Sequence, residues 1–154
     1  MSSLLPQSEG YLPLYILFVS YYALSVGVTA IGNAIQCYFT MSYTQRLYPG
    51  TPSSSQTKDK ANPAVTSPAT PLSSRTFGTW TAAVGIVRLF AAYHINEPAW
   101  YQMQTLTNII GLVHFGLEAF VYKTTQPSGP WLAPVTVALI GTGWSIAQYG
   151  FYVR

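Results

Sequence analysis

Four long segments that carry little or no charge constrain this chain more than any other feature. The first, residues 12–39, contains no charged side chain over 28 positions. A helix that crosses a bilayer needs about 20 consecutive apolar residues, so this segment is long enough to cross with some tilt. The same pattern predicts three further spans, at about 75–95, 99–122 and 131–153. The predicted fold class is therefore an all-α membrane protein, a bundle of four transmembrane helices.

The composition supports a membrane setting. Charged residues make up 7% of the chain and hydrophobic residues 49%, whereas a soluble domain carries roughly 25% charged residues. A soluble fold with so few charges would expose a large apolar surface and aggregate. Lipid is an apolar solvent in which helices satisfy their own backbone groups. We therefore expect residues 1–154 to form one domain surrounded by membrane lipid.

The connections between the spans differ in length and composition. Residues 41–74 are rich in Pro, Ser and Thr, and this composition buries too little apolar area to offset the entropy of ordering. We therefore predict a mostly disordered loop there. Spans two and three are joined by a tight turn at 96–98, because Pro98 stops one helix and begins the next. A second turn, at 124–130, precedes the fourth span.

Four spans also give the chain two sides. Both termini and the 96–98 turn lie on one side of the bilayer, and the 41–74 loop and the 124–130 turn lie on the other. The loop side carries Arg46, Lys58, Lys60, Arg75 and Lys123, and the opposite side carries Arg154. Lysine and arginine in short loops favour the cytosol. The count predicts a cytosolic loop side, and the opposite orientation stays open.

Several classes of function are excluded by what the sequence lacks. The basic residues are scattered, and nucleic-acid binding needs a basic stripe. A single cysteine, Cys37, rules out an internal disulfide and a multi-cysteine metal site. His94 and His114 lie roughly 20 Å apart by helix rise, too far to share one haem iron. No glycine-rich nucleotide-binding motif follows a strand. We predict no cofactor, no metal and no nucleic-acid partner.

Polar residues inside the spans are the candidate functional groups, because such residues are costly in lipid and usually face a partner. Spans two and three form an antiparallel hairpin, so Glu118 lies next to Arg75 and His114 lies one turn deeper on the same face. Asn33 and Gln36 lie near the same end of span one. The sequence predicts an interaction cluster of these five residues, with an Arg75–Glu118 pair.

Arg88 and Asn108 form a second polar group near the middle of the membrane. Arg88 is expected either to extend to the 96–98 side or to bond Asn108 and Thr105. Pairing with Glu118 would need a reach of roughly 15 Å along the helix axis. The favoured interpretation of both groups is structural: they satisfy one another and fix helix register. Neither contains a second carboxylate or an aligned nucleophile.

Small residues recur at four-residue spacing on three of the spans. Such faces let helix backbones approach closely in lipid. The pairs are Ala30 with Ala34, Gly78 with Ala82, and Gly143 with Ala147. We interpret them as packing surfaces, either within the bundle or toward a partner.

Several motifs together resemble the ergosterol biosynthetic protein 28 family, which are small membrane proteins of the endoplasmic reticulum. The most specific is the run Arg75-Thr76-Phe77-Gly78-Thr79-Trp80-Thr81, followed by Arg88. The others are Gly32-Asn33 with Gln36, His114-Phe115 with Glu118 and Tyr122, and Leu132-Ala133-Pro134. These motifs cover all four spans in the order expected for the family.

The resemblance implies a non-catalytic scaffold, a tether for the enzymes of sterol C-4 demethylation in the endoplasmic reticulum membrane. The implied partners are the sterol C-4 methyl oxidase, the 3β-hydroxysteroid dehydrogenase/decarboxylase and the 3-keto sterol reductase. The sterol C-24 methyltransferase is also implicated. Two other functions stay open: a membrane enzyme with His114 and Glu118 as an acid–base pair, and a small transporter built around Arg88. Association into a homo-oligomer also stays open.

Overall fold

The computed structural model describes residues 14–50 and 62–153, which form helices joined by turns. The long helices are α1 (Leu14–Phe39), α4 (Pro71–Tyr93), α5 (Pro98–Phe120) and α6 (Leu132–Tyr152). Two short helices, α2 (Ser42–Leu47) and α3 (Pro63–Thr66), lie between α1 and α4, and a 3₁₀ turn (Gly129–Trp131) leads into α6. The prediction of an all-α fold is confirmed, since these residues contain no strand.

The four long helices coincide with the four predicted spans to within a few residues. Proline marks the start of two of them: Pro71 begins α4 behind a Thr70–Ser73 capping box, and Pro98 begins α5. Within the described ranges, one helical segment, Gly129–Tyr152, is long and apolar enough to cross a membrane by length and composition. The bundle of four membrane spans stays a prediction.

The prediction of a disordered loop over 41–74 is wrong for part of that range. Residues 42–47, 63–66 and 71–74 are helical. Leu47 of α2 is 1% exposed and packs in an apolar cluster with Phe115 and Trp131. The composition argument overlooked this anchor, which offsets the entropy of ordering. Residues 51–61, which include Lys58 and Lys60, lie outside the described residues.

Helices α1 and α4 form the largest helix interface, and glycine allows their close approach. A methyl group added to Gly85 would lie 3.1 Å from the carbonyl oxygen of Gly27, and one added to Gly78 would lie 2.9 Å from Cys37 Cβ. Ala34 is buried on the same side of α1, with its carbonyl oxygen 3.1 Å from that added methyl group. Small residues here serve packing within the bundle.

The Gly143–Ala147 face of α6 behaves differently. Both residues are exposed, and nothing lies within 4 Å of a methyl group added to Gly143. Helix α6 packs mainly against α5 through its other face, where Ala138, Gly141 and Ser145 are buried.

The interior has apolar ends and a polar middle. One apolar cluster, with Val19, Ile95, Tyr101 and Tyr152, lies near the 96–98 turn. The other contains Leu47, Phe115, Ala119 and Trp131 and lies near the opposite ends of the helices. Polar side chains of α4 and α5 lie between these clusters.

Candidate functional site

The first polar site is a buried group between α1, α4, α5 and α6, which we name the polar core. The Arg88 guanidinium donates from Nη2 to Asn108 Oδ1 at 2.5 Å and from Nε to Thr107 Oγ1 at 3.1 Å. Arg88 is 7% exposed and Asn108 is fully buried. The Tyr22 hydroxyl donates to the carbonyl oxygen of Val137 at 2.8 Å and lies 3.4 Å from Asn108 Oδ1. The polar core therefore joins all four long helices.

Gly141 makes room for this arrangement. A methyl group at that position would overlap the Tyr22 hydroxyl and lie 2.7 Å from Asn108 Nδ2. Among the described residues, two buried amide nitrogens have no hydrogen-bond partner: Asn108 Nδ2 and Gln104 Nε2. Gln104 accepts from the Ser145 hydroxyl through its oxygen at 3.3 Å, which links α5 to α6 a turn away.

The structure brings Arg88 and Asn108 together, which agrees with the predicted alternative in which Arg88 bonds Asn108. Arg88 does not extend to the 96–98 side. The predicted contact with Thr105 is wrong, because the Thr105 hydroxyl donates to the Tyr101 carbonyl oxygen of its own helix. Thr107 takes that place because it is buried on the inner face of α5 beside Asn108.

The second polar site lies in an open cavity of about 720 Å³ beside α4 and α5, which we name the groove. Its walls come from α4 and α5, and residues of α2 and of the segments 68–70 and 124 complete it. The side chains used below are Tyr48, Thr76, Phe77, Trp80, Ile110, His114 and Glu118. The groove is mostly apolar, with polar groups near the end of α5.

Three hydrogen bonds organise the polar groups of the groove. The Tyr48 hydroxyl and His114 Nε2 lie 2.7 Å apart in a hydrogen bond. The Thr124 hydroxyl donates to the Glu118 carboxylate, and the Thr124 backbone N–H donates to the Glu118 carbonyl oxygen at 3.0 Å. Burial raises the pKa of the Tyr48 phenol, and the nearby Glu118 charge adds to the rise. Tyr48 therefore remains a neutral hydrogen-bonding group.

The predicted five-residue cluster does not assemble as a unit. His114 and Glu118 line the groove together, but Arg75 and Gln36 are exposed. Asn33 is half-buried, and its side-chain oxygen lies 4.0 Å from the sulfur of Cys37 in its own helix.

The predicted Arg75–Glu118 pair is wrong. Across residues 14–50 and 62–153, the ion pair that forms is His94 with Glu97, at 2.8 Å and at an exposed position. Glu118 already has a partner in Thr124, and Arg75 lies on a face of α4 that is open to the surroundings. Two residues at the same depth in a helix hairpin do not necessarily lie on the sides of their helices that face each other.

Sequence reasoning missed Tyr22, Tyr48 and Thr124 as members of these sites. Tyr48 and Thr124 lie in connections between spans, where the residue spacing does not indicate the position of a side chain along the membrane normal. Tyr22 is one of many aromatic residues in an uncharged segment, and its role depends on the close approach of α6. A useful signal was Gly141, since a glycine within an apolar helix often marks close packing.

The chemistry available to these residues is limited. No group of three or more His, Cys, Asp or Glu side chains able to hold a metal occurs in the described part of the chain. In the polar core the charged group is enclosed by its partners. In the groove, one histidine and one acid are each bonded to a hydroxyl group, beside an apolar surface. The geometry suits binding of an amphiphile better than group transfer.

Comparison with known proteins gives a consistent result over nearly the whole chain. A family model described as "Erg28 like protein" matches residues 12–143. "Ergosterol biosynthetic protein 28" of Candida albicans is 34% identical, covering 99% of this chain and 96% of its own length. The protein of that name from Gibberella zeae is 32% identical, covering 97% and 95%. "Ergosterol biosynthetic protein 28 homolog" of Homo sapiens is 31% identical, covering 73% and 71%. No solved structure matches the chain.

Proposed function

The chain belongs to the Erg28 like protein family, and we propose that it acts in sterol biosynthesis as a non-catalytic membrane scaffold. The family match confirms the resemblance carried by the Arg75–Thr81 run and its companion motifs. The relatives' names refer to ergosterol biosynthesis and to no reaction. A non-catalytic role in the pathway accounts both for the reference to ergosterol biosynthesis and for the lack of a named reaction.

The observation that carries this proposal is the contrast between a hydrogen-bonded polar core and an apolar exterior. Arg88 is bonded inside the bundle, while large apolar side chains point outward from all four long helices. They include Val28, Ile35, Ile86, Phe90, Val113, Leu139 and Ile146. In a bilayer such faces contact lipid or other membrane helices. The protein thus offers surfaces for association and few groups for catalysis.

We propose that all four long helices cross the membrane of the endoplasmic reticulum. They contain 21 to 26 residues each. At a rise of 1.5 Å per residue, such helices match a hydrocarbon core of about 30 Å. The buried Arg88 suits this placement, since charged groups inside a membrane face the bundle and have partners.

The proposed partners are the membrane enzymes of sterol C-4 demethylation: the C-4 methyl oxidase, the 3β-hydroxysteroid dehydrogenase/decarboxylase and the 3-keto reductase. The C-24 methyltransferase is a further proposed partner. Holding successive enzymes together raises the effective concentration of each intermediate at the next active site. Such a tether needs surfaces on several helices, which this exterior supplies.

Deletion of the protein tests this proposal. We expect the four enzymes to remain at their normal levels while sterol intermediates that retain a C-4 methyl group accumulate. Mass spectrometry of total sterols and immunoblots of the enzymes measure the two quantities. A normal sterol profile in the deletion strain would contradict the proposal.

An acid–base role for His114 and Glu118 is the competing hypothesis, and the groove gives it a specific setting. Each of these side chains has a hydrogen bond to a separate hydroxyl group, His114 to that of Tyr48 and Glu118 to that of Thr124. We expect the double variant His114→Gln/Glu118→Gln to keep at least part of the sterol flux at normal protein level. Deletion-like accumulation of intermediates with normal protein level and normal enzyme association would favour the enzyme instead.

A further inference from the structure

The groove has a polar end and an apolar end. Glu118 lies near the end of α5, where Thr124 meets its carboxylate. Ile110 lies eight residues earlier on the same helix, about 12 Å away along the axis. Trp80 and Phe77 of α4 line the facing wall. An elongated molecule with one polar end would therefore find matching surroundings along the whole groove.

The charge of the lining selects the kind of polar end. The groove contains one acid, Glu118, and no lysine or arginine among its described lining residues. A phosphate headgroup would meet an acidic side chain and no cation. A hydroxyl group, in contrast, both donates and accepts hydrogen bonds, and it matches the free carboxylate oxygen of Glu118 and the neutral Tyr48 phenol. The groove favours a neutral alcohol over a phospholipid.

The size of the groove fits a single small lipid. Its volume of about 720 Å³ lies within the roughly 300–1,000 Å³ typical of sites that enclose one drug-sized ligand. Such sites are mostly apolar with a few well-placed polar groups, as here. The rings of Phe77 and Trp80 provide rigid surfaces against which a fused ring system packs well.

We propose that the groove binds one sterol, with its hydroxyl group at Glu118 and Tyr48 and its rings against Phe77, Trp80 and Ile110. The preference for a neutral hydroxylated lipid follows from the groove alone. The choice of a sterol among such lipids rests on the proposed function. A scaffold with this site would hold a pathway intermediate as well as the enzymes.

Photolabelling of the purified full-length protein tests the site without any partner enzyme. The probe is a photoreactive, alkyne-tagged sterol with a free 3β-hydroxyl group, added to protein in phosphatidylcholine vesicles. Trypsin cleavage after Arg75 and Arg88 isolates residues 76–88, which include Phe77 and Trp80. We expect labelling of this peptide, competed by unlabelled ergosterol. The 3-methyl ether of the probe and a photoreactive phosphatidylcholine should label it about tenfold less, or roughly 1.4 kcal/mol.

Two variants fill the groove from opposite walls. Thr76→Phe and Ile110→Trp should each lower labelling about tenfold, roughly 1.4 kcal/mol, because both side chains line the cavity. Ala83→Phe is the matched control, since Ala83 is exposed on α4 and does not line the groove. Gel filtration confirms that each protein is folded and monodisperse. Equal labelling of the control and both filled variants would overturn the proposal, as would equal labelling by the methyl ether.

The outcome separates this site from the scaffold proposal. Specific labelling with no association between the protein and the sterol enzymes would leave the groove standing and refute the scaffold. Association of the protein with the sterol enzymes, without specific labelling, would refute the groove as a sterol site and leave the scaffold proposal standing. Loss of labelling in Thr76→Phe with unchanged enzyme association would show that the two surfaces are separate.

Discussion

At the scale of single residues, the charged guanidinium of Arg88 is held inside the bundle by one amide and one hydroxyl group. We expect Asn108→Leu to lower the free energy of unfolding by about 1.5–3 kcal/mol, because a hydrogen bond to a charged group is lost. Denaturant unfolding in detergent micelles measures this. Arg75→Leu, at an exposed position on the same helix, should change stability by less than about 0.5 kcal/mol.

A double-mutant cycle isolates the contact itself. Arg88→Leu/Asn108→Leu should be more stable than the sum of the two single losses predicts, since neither polar group is then left without its partner. Additive losses would show that the 2.5 Å contact between these side chains contributes nothing.

A pair of glycines on α6 supplies a second residue-scale prediction. Gly141→Ala places a methyl group against Tyr22 and Asn108, so we expect a loss of about 1–3 kcal/mol from overpacking. Gly143→Ala, two residues away with nothing within 4 Å, should be neutral or slightly stabilising. Thermal unfolding of both variants tests the packing of α6 against the polar core. Equal effects would contradict the described orientation of α6.

At the scale of elements, α2 is held by burial despite its loop-like sequence. Leu47 is 1% exposed, and its carbonyl oxygen accepts a hydrogen bond from the Thr125 hydroxyl at 2.5 Å. We expect Leu47→Ala to cost about 2–5 kcal/mol. Leu72→Ala, which is 68% exposed, is the matched control and should have little effect. If both variants unfold like the wild type, α2 is not anchored as described.

The titration of Tyr48 gives a further test of this region. Its pKa is raised above the ordinary value of 10.0, so the unfolded state ionises first as pH rises. The neutral phenol therefore contributes full stability below about pH 10 and loses that contribution above it. We expect wild type to lose more stability than Tyr48→Phe between pH 9 and about pH 11. Parallel losses in thermal unfolding would contradict the burial of Tyr48.

The elements also show where sequence reasoning works and where it stops. The long helices follow from segments of little or no charge with proline at their boundaries, because both signals act locally. The Arg88–Asn108 contact follows from helix rise, which sets depth. The helix rise does not determine which way a side chain points around the helix axis. Reasoning from rise alone therefore placed Arg75 beside Glu118, although the two residues lie on different faces. The composition of residues 41–74 did not predict α2, because its order comes from the packing of Leu47 against distant parts of the chain.

At the scale of the whole molecule, the proposed four crossings predict that the turns at 96–98 and 124–130 lie on opposite sides of the membrane. Cys37 is buried, which leaves a low background for added cysteines. An impermeant thiol reagent applied to sealed microsomes should label one of the variants Asn96→Cys and Gln126→Cys and not the other. Labelling of both cysteine variants in sealed microsomes would contradict the four-crossing bundle. Labelling of Gln126→Cys from outside would also agree with a cytosolic loop side.

The central claim is that this protein holds sterol enzymes together through its membrane helices. Quantitative co-isolation tests it most directly: the tagged C-4 methyl oxidase is purified in mild detergent from cells with and without the protein. The amounts of co-purified 3β-hydroxysteroid dehydrogenase/decarboxylase and 3-keto reductase are then compared. The account predicts that both enzymes are lost from the preparation when the protein is missing, although their total levels are unchanged. Equal recovery with and without the protein would contradict it.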